Sequence, residues 1–188
     1  MSLIGKRIGN YEIKAKLGEG GMGAVYLGEH PMIGKKVAIK VLLEELVSKE
    51  DIVQRFFNEA KAVNDIGHPN IIDVVDFGKI RGDNGVDVVY FIMEFLEGDS
   101  LSARLRSTGL SQQETIHVMK QCCSGLAASH KKGIIHRDLK PENIYLIKRG
   151  ADKNFIKILD FGIAKLTGAD GMTSSKTRTG LVIGTPTY

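Results

Sequence analysis

The chain has 188 residues, 43% of them apolar and 26% charged, as in an ordinary globular protein of one or two domains. Its net charge of +4 is spread over scattered lysines and arginines without interleaved aromatics, which argues against nucleic acid as a partner. The two cysteines, Cys122 and Cys123, are adjacent and fit a reduced, cytoplasmic protein. We expect neither a signal peptide nor a membrane span in this chain.

The first half of the chain predicts a β-rich region with one helix. Alternating or β-branched residues between glycine turns indicate strands, and Asp83-Asn84-Gly85 indicates a hairpin between the last two. A helix is predicted to begin with Ser48 as N-cap and to run to about Asp65. The predicted strands are Tyr11–Leu17, Ala24–Glu29, Lys36–Leu42, Val74–Ile80 and Val86–Met93.

The second half predicts helices followed by a hairpin. The linker Glu94–Gly98 breaks the strand pattern, and a short helix is predicted at Leu101–Ser107. Ser111 and Glu114 form a capping-box pattern that begins a longer helix. One side of this helix carries Ile116, Met119, Cys123, Leu126 and His130, and the hairpin strands are Ile144–Lys148 and Phe155–Leu159.

The segments richest in chemistry are His136-Arg137-Asp138-Leu139-Lys140-Pro141-Glu142-Asn143 and, seventeen residues after Asn143, Asp160-Phe161-Gly162. They supply a candidate base, a cation, an amide and a carboxylate that suits a metal ion. Phosphoryl transfer needs such groups because its transition state requires charge neutralisation and alignment, with little covalent help.

A glycine-rich run, Leu17-Gly18-Glu19-Gly20-Gly21-Met22-Gly23-Ala24-Val25, contains the pattern G-x-G-x-x-G. Dinucleotide-binding folds share this pattern, but there the glycines open directly into a helix, whereas here a strand follows. No G-x-x-x-x-G-K-[ST] run is present either. The context therefore favours a flexible hairpin whose backbone approaches the phosphates of a nucleotide.

Lys40 and Glu59 form a predicted ion pair. Glu59 is seven positions after Ile52, which is about 700° of helix, so it falls within an apolar stripe. An unpaired charge buried there would cost several kcal/mol. Lys40, in Val37-Ala38-Ile39-Lys40, is the natural partner because strand alternation puts it on one face with the small Ala38.

Together these motifs closely resemble the catalytic domain of bacterial-type (Hanks-type) serine/threonine protein kinases, from about Tyr11 to Tyr188. The resemblance implies an α+β, two-lobed fold with a β-rich N-lobe at 11–93, a hinge at 94–98 and a truncated helical C-lobe at 99–188. It also implies that ATP, with Mg²⁺ or Mn²⁺, is bound at the hinge cleft and that its γ-phosphoryl group is transferred to Ser/Thr hydroxyls of proteins.

The resemblance assigns roles residue by residue. Asp138 is the base, Lys140 neutralises the γ-phosphate, and Asn143 and Asp160 hold the metal, while the neighbouring His136 packs inward. The Lys40–Glu59 pair belongs to the same machinery. The implied ATP-binding residues are Leu17, Gly18, Glu19, Gly20, Gly21, Met22, Gly23, Ala24, Val25, Ala38, Lys40, Met93, Glu94, Leu96 and Tyr145.

Tyr145 departs modestly from the family, which often has an aliphatic residue on the floor of the adenine pocket. Its ring either stacks on the base or only fills the floor as a bulky strand residue, and the sequence favours neither interpretation.

The last residues match the activation segment of the family. Thr177 and Thr179 are the predicted phosphate acceptors, with Arg137, Arg55 and Lys165 as the cations that would bind a phosphothreonine. The alternative is a loop rich in serine and threonine that is never phosphorylated. Thr185 matches the family residue that contacts the catalytic Asp and Lys and favours Ser/Thr substrates.

Two other functions remain open: a pseudokinase that binds ATP as a scaffold, and a phosphotransferase for small molecules. The partners we expect are protein substrates and a second copy of the protein for trans-autophosphorylation. The chain ends where the family continues into further helices. We therefore expect residues 1–188 alone to have little activity and the apolar side of the 112–130 helix to be uncovered. A membrane anchor beyond Tyr188 is compatible with this prediction.

Overall fold

The computed structural model describes residues 3–82 and 85–161. The chain divides into two compact units. Within the described residues, the first consists of 3–64, 72–82 and 85–96, and the second of 65–71 and 97–161.

The first unit is built on a six-stranded antiparallel sheet in the order β1-β2-β3-β4-β6-β5. All five predicted strands form, each with ends within three residues of the prediction. The added strand β1 has two residues, too few to show an alternating pattern. The strands are β1 (Arg7–Ile8), β2 (Tyr11–Gly20), β3 (Gly23–Glu29), β4 (Lys36–Leu42), β5 (Val74–Arg81) and β6 (Asp87–Glu94).

The two faces of this sheet differ because successive side chains point to opposite sides. One face carries a cluster of buried apolar residues: Ile8, Ile13, Ala24, Tyr26, Val37, Ile39, Val41, Tyr90 and Ile92. The other face carries the residues between them in sequence. Register pairs Val25 with Lys40, Lys40 with Phe91, and Ala38 with Met93, so these side chains share that second face.

Helix α2 (Glu50–Ile66) packs on the sheet of the first unit through aromatic contacts. The Phe56 and Phe91 ring centroids lie 4.8 Å apart, and those of Phe57 and Phe77 lie 5.4 Å apart. Since Phe91 shares its sheet face with Lys40, α2 covers the face opposite the apolar cluster.

The predicted role of Ser48 as N-cap of this helix is wrong. Ser48 instead ends a one-turn helix, α1 (Glu44–Val47), as its C-cap. The first helical bonds of α2 go to the Lys49 carbonyl, from Ile52 N at 3.0 Å and Val53 N at 3.1 Å. A helix of one turn has no apolar period, so its presence could not be anticipated from the sequence.

The second unit contains helices α3 (Leu101–Ser107) and α4 (Gln112–Lys131) and a three-stranded antiparallel sheet. The capping box is confirmed, with Ser111 N donating to Glu114 Oε2 at 2.8 Å and Glu114 N to Ser111 Oγ at 3.3 Å. The strands of the three-stranded sheet are β7 (Gly98–Ser100), β8 (Ile144–Arg149) and β9 (Asp152–Ile158). A 3₁₀ helix, Pro141–Asn143, precedes β8.

The buried side of α4 is formed mainly by small residues, Val118, Cys122, Gly125 and Ser129. A Cβ at position 125 would lie 3.2 Å from Ile158 Cδ1, so glycine lets the helix approach β9 closely. On the apolar side noted in the sequence, Ile116 is 48% and Met119 51% exposed, and Leu126 is half-buried. Hydrophobicity alone therefore does not identify the face that packs within this unit.

Among the residues that the structure describes, no helix combines the length and apolar character needed to span a membrane.

We predict that Gly98→Ala destabilises the protein by roughly 1–3 kcal/mol, as overpacking does. The new Cβ would lie 2.0 Å from the Leu146 carbonyl oxygen, so β7 and β8 would have to separate. Thermal and denaturant unfolding measure the change.

Gly20→Ala is the matched control, because a Cβ there would meet no atom of residues 3–82 and 85–161 within 4 Å. Equal stability of the two variants would contradict the proposed steric requirement.

Candidate active site

The charged pair of the first unit joins the middle of β4 to α2. Lys40 Nζ lies 3.2 Å from Glu59 Oε1, and the two side chains are only 15% and 8% exposed. The Lys40 ammonium also lies 5.4 Å from the centroid of the Phe91 ring, within cation–π range. The structure thus brings together the two residues that the apolar stripe of the helix predicted to pair.

Several predicted nucleotide-binding residues share the sheet face of Lys40. Ala38 and Met93 are buried and opposite each other in register, and Leu17 is 48% exposed. At the end of β6, the Glu94 N–H donates to the Asp73 carbonyl at 3.0 Å. The Glu94 backbone can therefore offer a ligand its carbonyl oxygen but not its N–H. Of the two residues predicted to bond the nucleotide through their backbone, Glu94 and Leu96, only Leu96 can therefore serve as the donor.

The glycines of the β2–β3 hairpin fall into two groups. At Gly23 a Cβ would lie 2.3 Å from the Val41 carbonyl oxygen, so the packing of β3 on β4 requires glycine there. At Gly18, Gly20 and Gly21 a Cβ would meet no atom of the described chain within 4 Å, and none of the three has a positive φ. Neither packing nor backbone conformation in this structure requires glycine at these three positions.

In the second unit, Asp138 is held by two neighbouring side chains. Lys140 Nζ lies 3.3 Å from Asp138 Oδ2, and the Asp138 side chain is 9% exposed. The Asn143 amide Nδ2 donates to the Asp138 carbonyl at 2.9 Å and to its Oδ2 at 3.3 Å. A carboxylate that accepts these contacts is oriented and remains an acceptor for a further proton donor.

His136 is a structural residue in this geometry. Its Nδ1 accepts the Asp138 backbone N–H at 3.3 Å, so its Nε2 must donate to the Leu159 carbonyl at 2.8 Å, which assigns the neutral tautomer. Burial is the main cause that lowers the pKa of this imidazole. Its ring packs on Phe161 with centroids 4.5 Å apart, in agreement with the predicted inward orientation.

One residue of the 136–143 motif and one of the 160–162 motif have left-handed backbone conformations. Arg137 has φ 63° and Asp160 has φ 49°, and they are the only residues other than glycine with positive φ in the described part of the chain. This conformation costs roughly 1–2 kcal/mol for such residues and is retained where the surroundings impose it, often at functional sites. The sequence gives no local signal of this strain.

Asn143 and Asp160 fit a divalent cation of the magnesium type. The Leu159 N–H donates to the Asn143 carbonyl at 2.8 Å, which ties together the chain segments that carry the two side chains. Because Asn143 Nδ2 is bonded to Asp138, its Oδ1 is the atom left for a metal, and Asp160 adds carboxylate oxygens. Mg²⁺ prefers such oxygen ligands. The described residues hold no cluster of three or more His, Cys, Asp or Glu side chains.

A polar contact that sequence reasoning missed fixes the start of the 3₁₀ helix. Ser102 Oγ donates to Glu142 Oε1 at 2.9 Å, and Arg106 Nη1 donates to Ser102 Oγ at 2.5 Å. Hydrogen bonds from its own backbone and from Ser102 lower the pKa of Glu142. The residues involved are forty positions apart, so no periodic signal could have linked them.

The remaining predicted residues are placed only in part. Tyr145 lies half-buried on β8, opposite Ser100 and Lys157 in register, and both interpretations of its ring stay open. Arg55 pairs with Asp51, with Nη2 2.8 Å from Oδ2, and Arg137 is exposed. Lys165, Thr177, Thr179 and Thr185 lie outside the described residues.

Comparison with solved structures identifies the class of fold. The kinase domain of PknI from Mycobacterium tuberculosis matches with a TM-score of 0.67 at 26% identity, over 87% of this chain and 62% of that chain. This similarity confirms the predicted α+β, kinase-like fold.

The sequence comparisons then show the family. Residues 11–188 match the protein kinase domain family, and the chain belongs to it. Serine/threonine-protein kinase Pkn1 of Myxococcus xanthus is 47% identical over 99% of this chain, and PrkC of Bacillus subtilis is 36% identical over 96%. The chain spans 26% of the length of Pkn1 and 27% of PrkC. The predicted resemblance to bacterial serine/threonine kinases is confirmed.

We predict that Lys40→Met and Glu59→Leu each lower the free energy of unfolding by about 3 kcal/mol, because each leaves a buried charge unpaired. The double variant should lose much less than the sum of the two single losses. Denaturant unfolding of the four proteins measures the coupling free energy.

The exposed pair Lys14–Glu12, 2.8 Å apart and 39% and 36% exposed, is the control. Lys14→Met and Glu12→Leu should each lower the free energy of unfolding by less than about 1 kcal/mol. Additive losses at Lys40 and Glu59 would contradict a buried, coupled pair.

Proposed function

We propose that the protein transfers the γ-phosphoryl group of ATP to Ser/Thr hydroxyls of protein substrates. The observation that carries this proposal is the arrangement around Asp138, which joins a nearly buried carboxylate, a lysine and an oriented amide within 3.3 Å. Membership of the protein kinase domain family supports it.

In this mechanism Asp138 orients the substrate hydroxyl and accepts its proton. General bases contribute when they lie within hydrogen-bond reach of the proton they remove, so the fixed direction of this carboxylate is essential. Lys140, whose ammonium lies beside Asp138, offsets the negative charge that develops on the transferred phosphoryl oxygens.

Asn143 and Asp160 would hold Mg²⁺ or Mn²⁺ through their side-chain oxygens. Such an ion would neutralise phosphate charge when bound. The protein contributes by fixing the Asn143 amide through its bond to Asp138, and by holding Asp160 in a left-handed conformation next to the buried Phe161.

The first unit would bind the nucleotide. We propose that Lys40, oriented by Glu59, contacts its phosphates, and that the small Ala38 leaves room beside the lysine for the adenine. The three glycines at 18, 20 and 21, which no contact with the described residues requires, would let backbone N–H groups approach phosphate oxygens.

Two rival functions differ in what they require. A pseudokinase usually lacks the lysine, the base or the metal-binding aspartate, whereas Lys40, Asp138 and Asp160 are all present. A phosphotransferase for small molecules would share the cleft chemistry, but the relatives Pkn1 and PrkC are named serine/threonine-protein kinases.

Asp138→Asn should lower kcat by about 10²–10⁴-fold, the usual contribution of a general base, with little change in ATP affinity. The assay uses the full-length protein, labelled ATP, a generic protein substrate and a panel of small-molecule alcohols.

Asp65→Asn makes the same chemical change at an exposed residue near the end of α2 that is not among the predicted site residues, and it should retain activity. Transfer to the small molecules alone would favour the phosphotransferase, and ATP binding without transfer would favour the pseudokinase.

We also propose that phosphorylation of Thr177 or Thr179 activates the enzyme. Arg137, Arg55 and Lys165 are the candidate partners, because a phosphate of about −2 charge recruits cations and orders a loop. Arg55 would have to exchange its bond to Asp51 for the phosphate.

Thr177→Ala combined with Thr179→Ala should therefore reduce the activity of the full-length protein several-fold. Thr173→Ala combined with Ser175→Ala is the control for general changes in the same segment. Unchanged activity in the first double variant would refute this mode of regulation.

A further inference from the structure

A cavity separate from the proposed catalytic residues lies within the first unit, on the sheet face that carries the apolar cluster. It has a volume of about 570 Å³ and is bordered by the chain before β1, the end of β4 with the start of α1, and the ends of β5 and β6. Lys40 and Met93 do not line it, because strand register places them on the opposite face. The cavity is therefore distinct from the predicted nucleotide site of the same unit.

The floor of this cavity is apolar. Its side chains belong to the buried cluster, are at most 9% exposed, and have Val88 of β6 packed against them. The floor residues are Ile8, Ala24, Tyr26 and Val41. A volume within the roughly 300–1,000 Å³ range of small-molecule sites and an apolar floor are the usual features of a ligand pocket. Water would find few hydrogen-bond partners at this floor, so an apolar group would displace it favourably.

The rim of the cavity carries charges of both signs, and two ion pairs hold four of them. Lys16 pairs with Glu19, and Arg81 Nη1 lies 3.1 Å from Asp87 Oδ1. A charged ligand would have to compete with one of these existing pairs for its partner.

The other charged residues on the border supply no free charge either. Lys6 and Glu44 are of opposite sign, and neither is without a partner in the protein. Arg7 precedes the buried Ile8 on β1, so strand alternation directs its side chain to the other face of the sheet. An uncharged molecule therefore suits this rim better than an ion of either sign.

One polar group of the floor has no partner within the protein. Tyr26 is only 9% exposed, yet its hydroxyl makes no hydrogen bond with any residue of the ranges 3–82 and 85–161. In these ranges Arg104 Nε is the one fully buried side-chain nitrogen or oxygen without a partner, so the Tyr26 hydroxyl is still accessible. Tyr26 lines the cavity, and so does Lys16, which faces it in register on β2. The hydroxyl is thus the polar group that the floor offers to a ligand.

We propose that this cavity binds a neutral, largely apolar molecule with one hydrogen-bond acceptor, such as a ketone, an ester or an amide. The apolar body would lie on the floor, and the acceptor oxygen would receive the O–H of Tyr26. This contact would satisfy a hydroxyl that is nearly buried and unpaired, which costs free energy when it has no partner. A nucleotide would instead bring several negative charges to a rim whose cations already have partners.

The site is independent of the proposed catalytic function but lies behind the same strands. Ala24 and Val41 on its floor alternate with Val25 and Lys40, which point to the other face of the sheet. A bound ligand would therefore contact the β2–β3 hairpin from the side opposite the predicted nucleotide.

Prodan is a suitable probe, because it is a neutral naphthyl ketone whose fluorescence emission moves to shorter wavelengths in apolar surroundings. Titration of the full-length protein should show saturable binding with one site per chain. The affinity should be the same with and without saturating ADP and Mg²⁺, which would occupy the predicted nucleotide site. The anionic probe anilinonaphthalene sulfonate, which has the same ring system but carries a charge, should bind more weakly.

Tyr26→Phe tests the polar contact. It should weaken Prodan binding by about two- to tenfold, the usual net value of one hydrogen bond. Tyr90→Phe is the matched control, because Tyr90 belongs to the same buried cluster but does not line the cavity. The control variant should bind Prodan as the unaltered protein does.

Val88→Trp tests the apolar volume. It should abolish binding by filling the cavity, and thermal unfolding checks that the variant folds. Val75→Trp makes the same change at an exposed residue of β5 that does not line the cavity, and it should leave the affinity unchanged.

Absence of saturable binding would overturn the proposal, and so would displacement of Prodan by ADP, which would place the probe in the nucleotide site. An affinity that either Tyr26→Phe or Val88→Trp leaves unchanged would also overturn it, because the probe would then not occupy this cavity as described. The fluorescence readout does not involve phosphoryl transfer, so failure here leaves the proposed kinase activity to its own test.

Discussion

A carboxylate buried in an apolar helix face must be neutralised, and the first unit meets this constraint with the Lys40–Glu59 pair. The pair joins α2 to the centre of β4, on the sheet face shared by Val25, Ala38 and Met93. Because strand alternation sends the apolar cluster to the other face, one contact fixes which side of the sheet α2 covers. Phe56 and Phe91 reinforce that position through their rings.

The second unit uses hydrogen bonds to impose unfavourable backbone conformations. Neutral His136 bonds both to Asp138 N–H and to the Leu159 carbonyl, and thereby connects the segments that contain the left-handed Arg137 and Asp160. The Asn143 side chain donates a further bond to Asp138, and its carbonyl accepts one from the Leu159 N–H. The base and the two metal-binding side chains are thus oriented by the protein itself, which is what phosphoryl transfer requires of its catalyst.

Much of this fold was predictable because its signals are local and periodic. Strands β2 to β6 of the first unit, the helix at Leu101–Ser107 and the Ser111–Glu114 capping box follow directly from alternation and turn chemistry. The Lys40–Glu59 contact followed from the cost of burying a charge. The one-turn helix α1, the small-residue face of α4 and the Ser102–Glu142 contact could not be predicted, since each depends on tertiary packing or distant residues.

The most direct test of the account is a crystal structure of the protein with a non-hydrolysable ATP analogue and Mg²⁺. The account predicts Lys40 Nζ within hydrogen-bond distance of phosphate oxygens, and the metal bound to Asn143 Oδ1 and an Asp160 carboxylate oxygen. It also predicts that Asp138 is free of the metal and directed at the position of an incoming hydroxyl. A nucleotide held by other residues, or a metal bound away from Asn143 and Asp160, would contradict it.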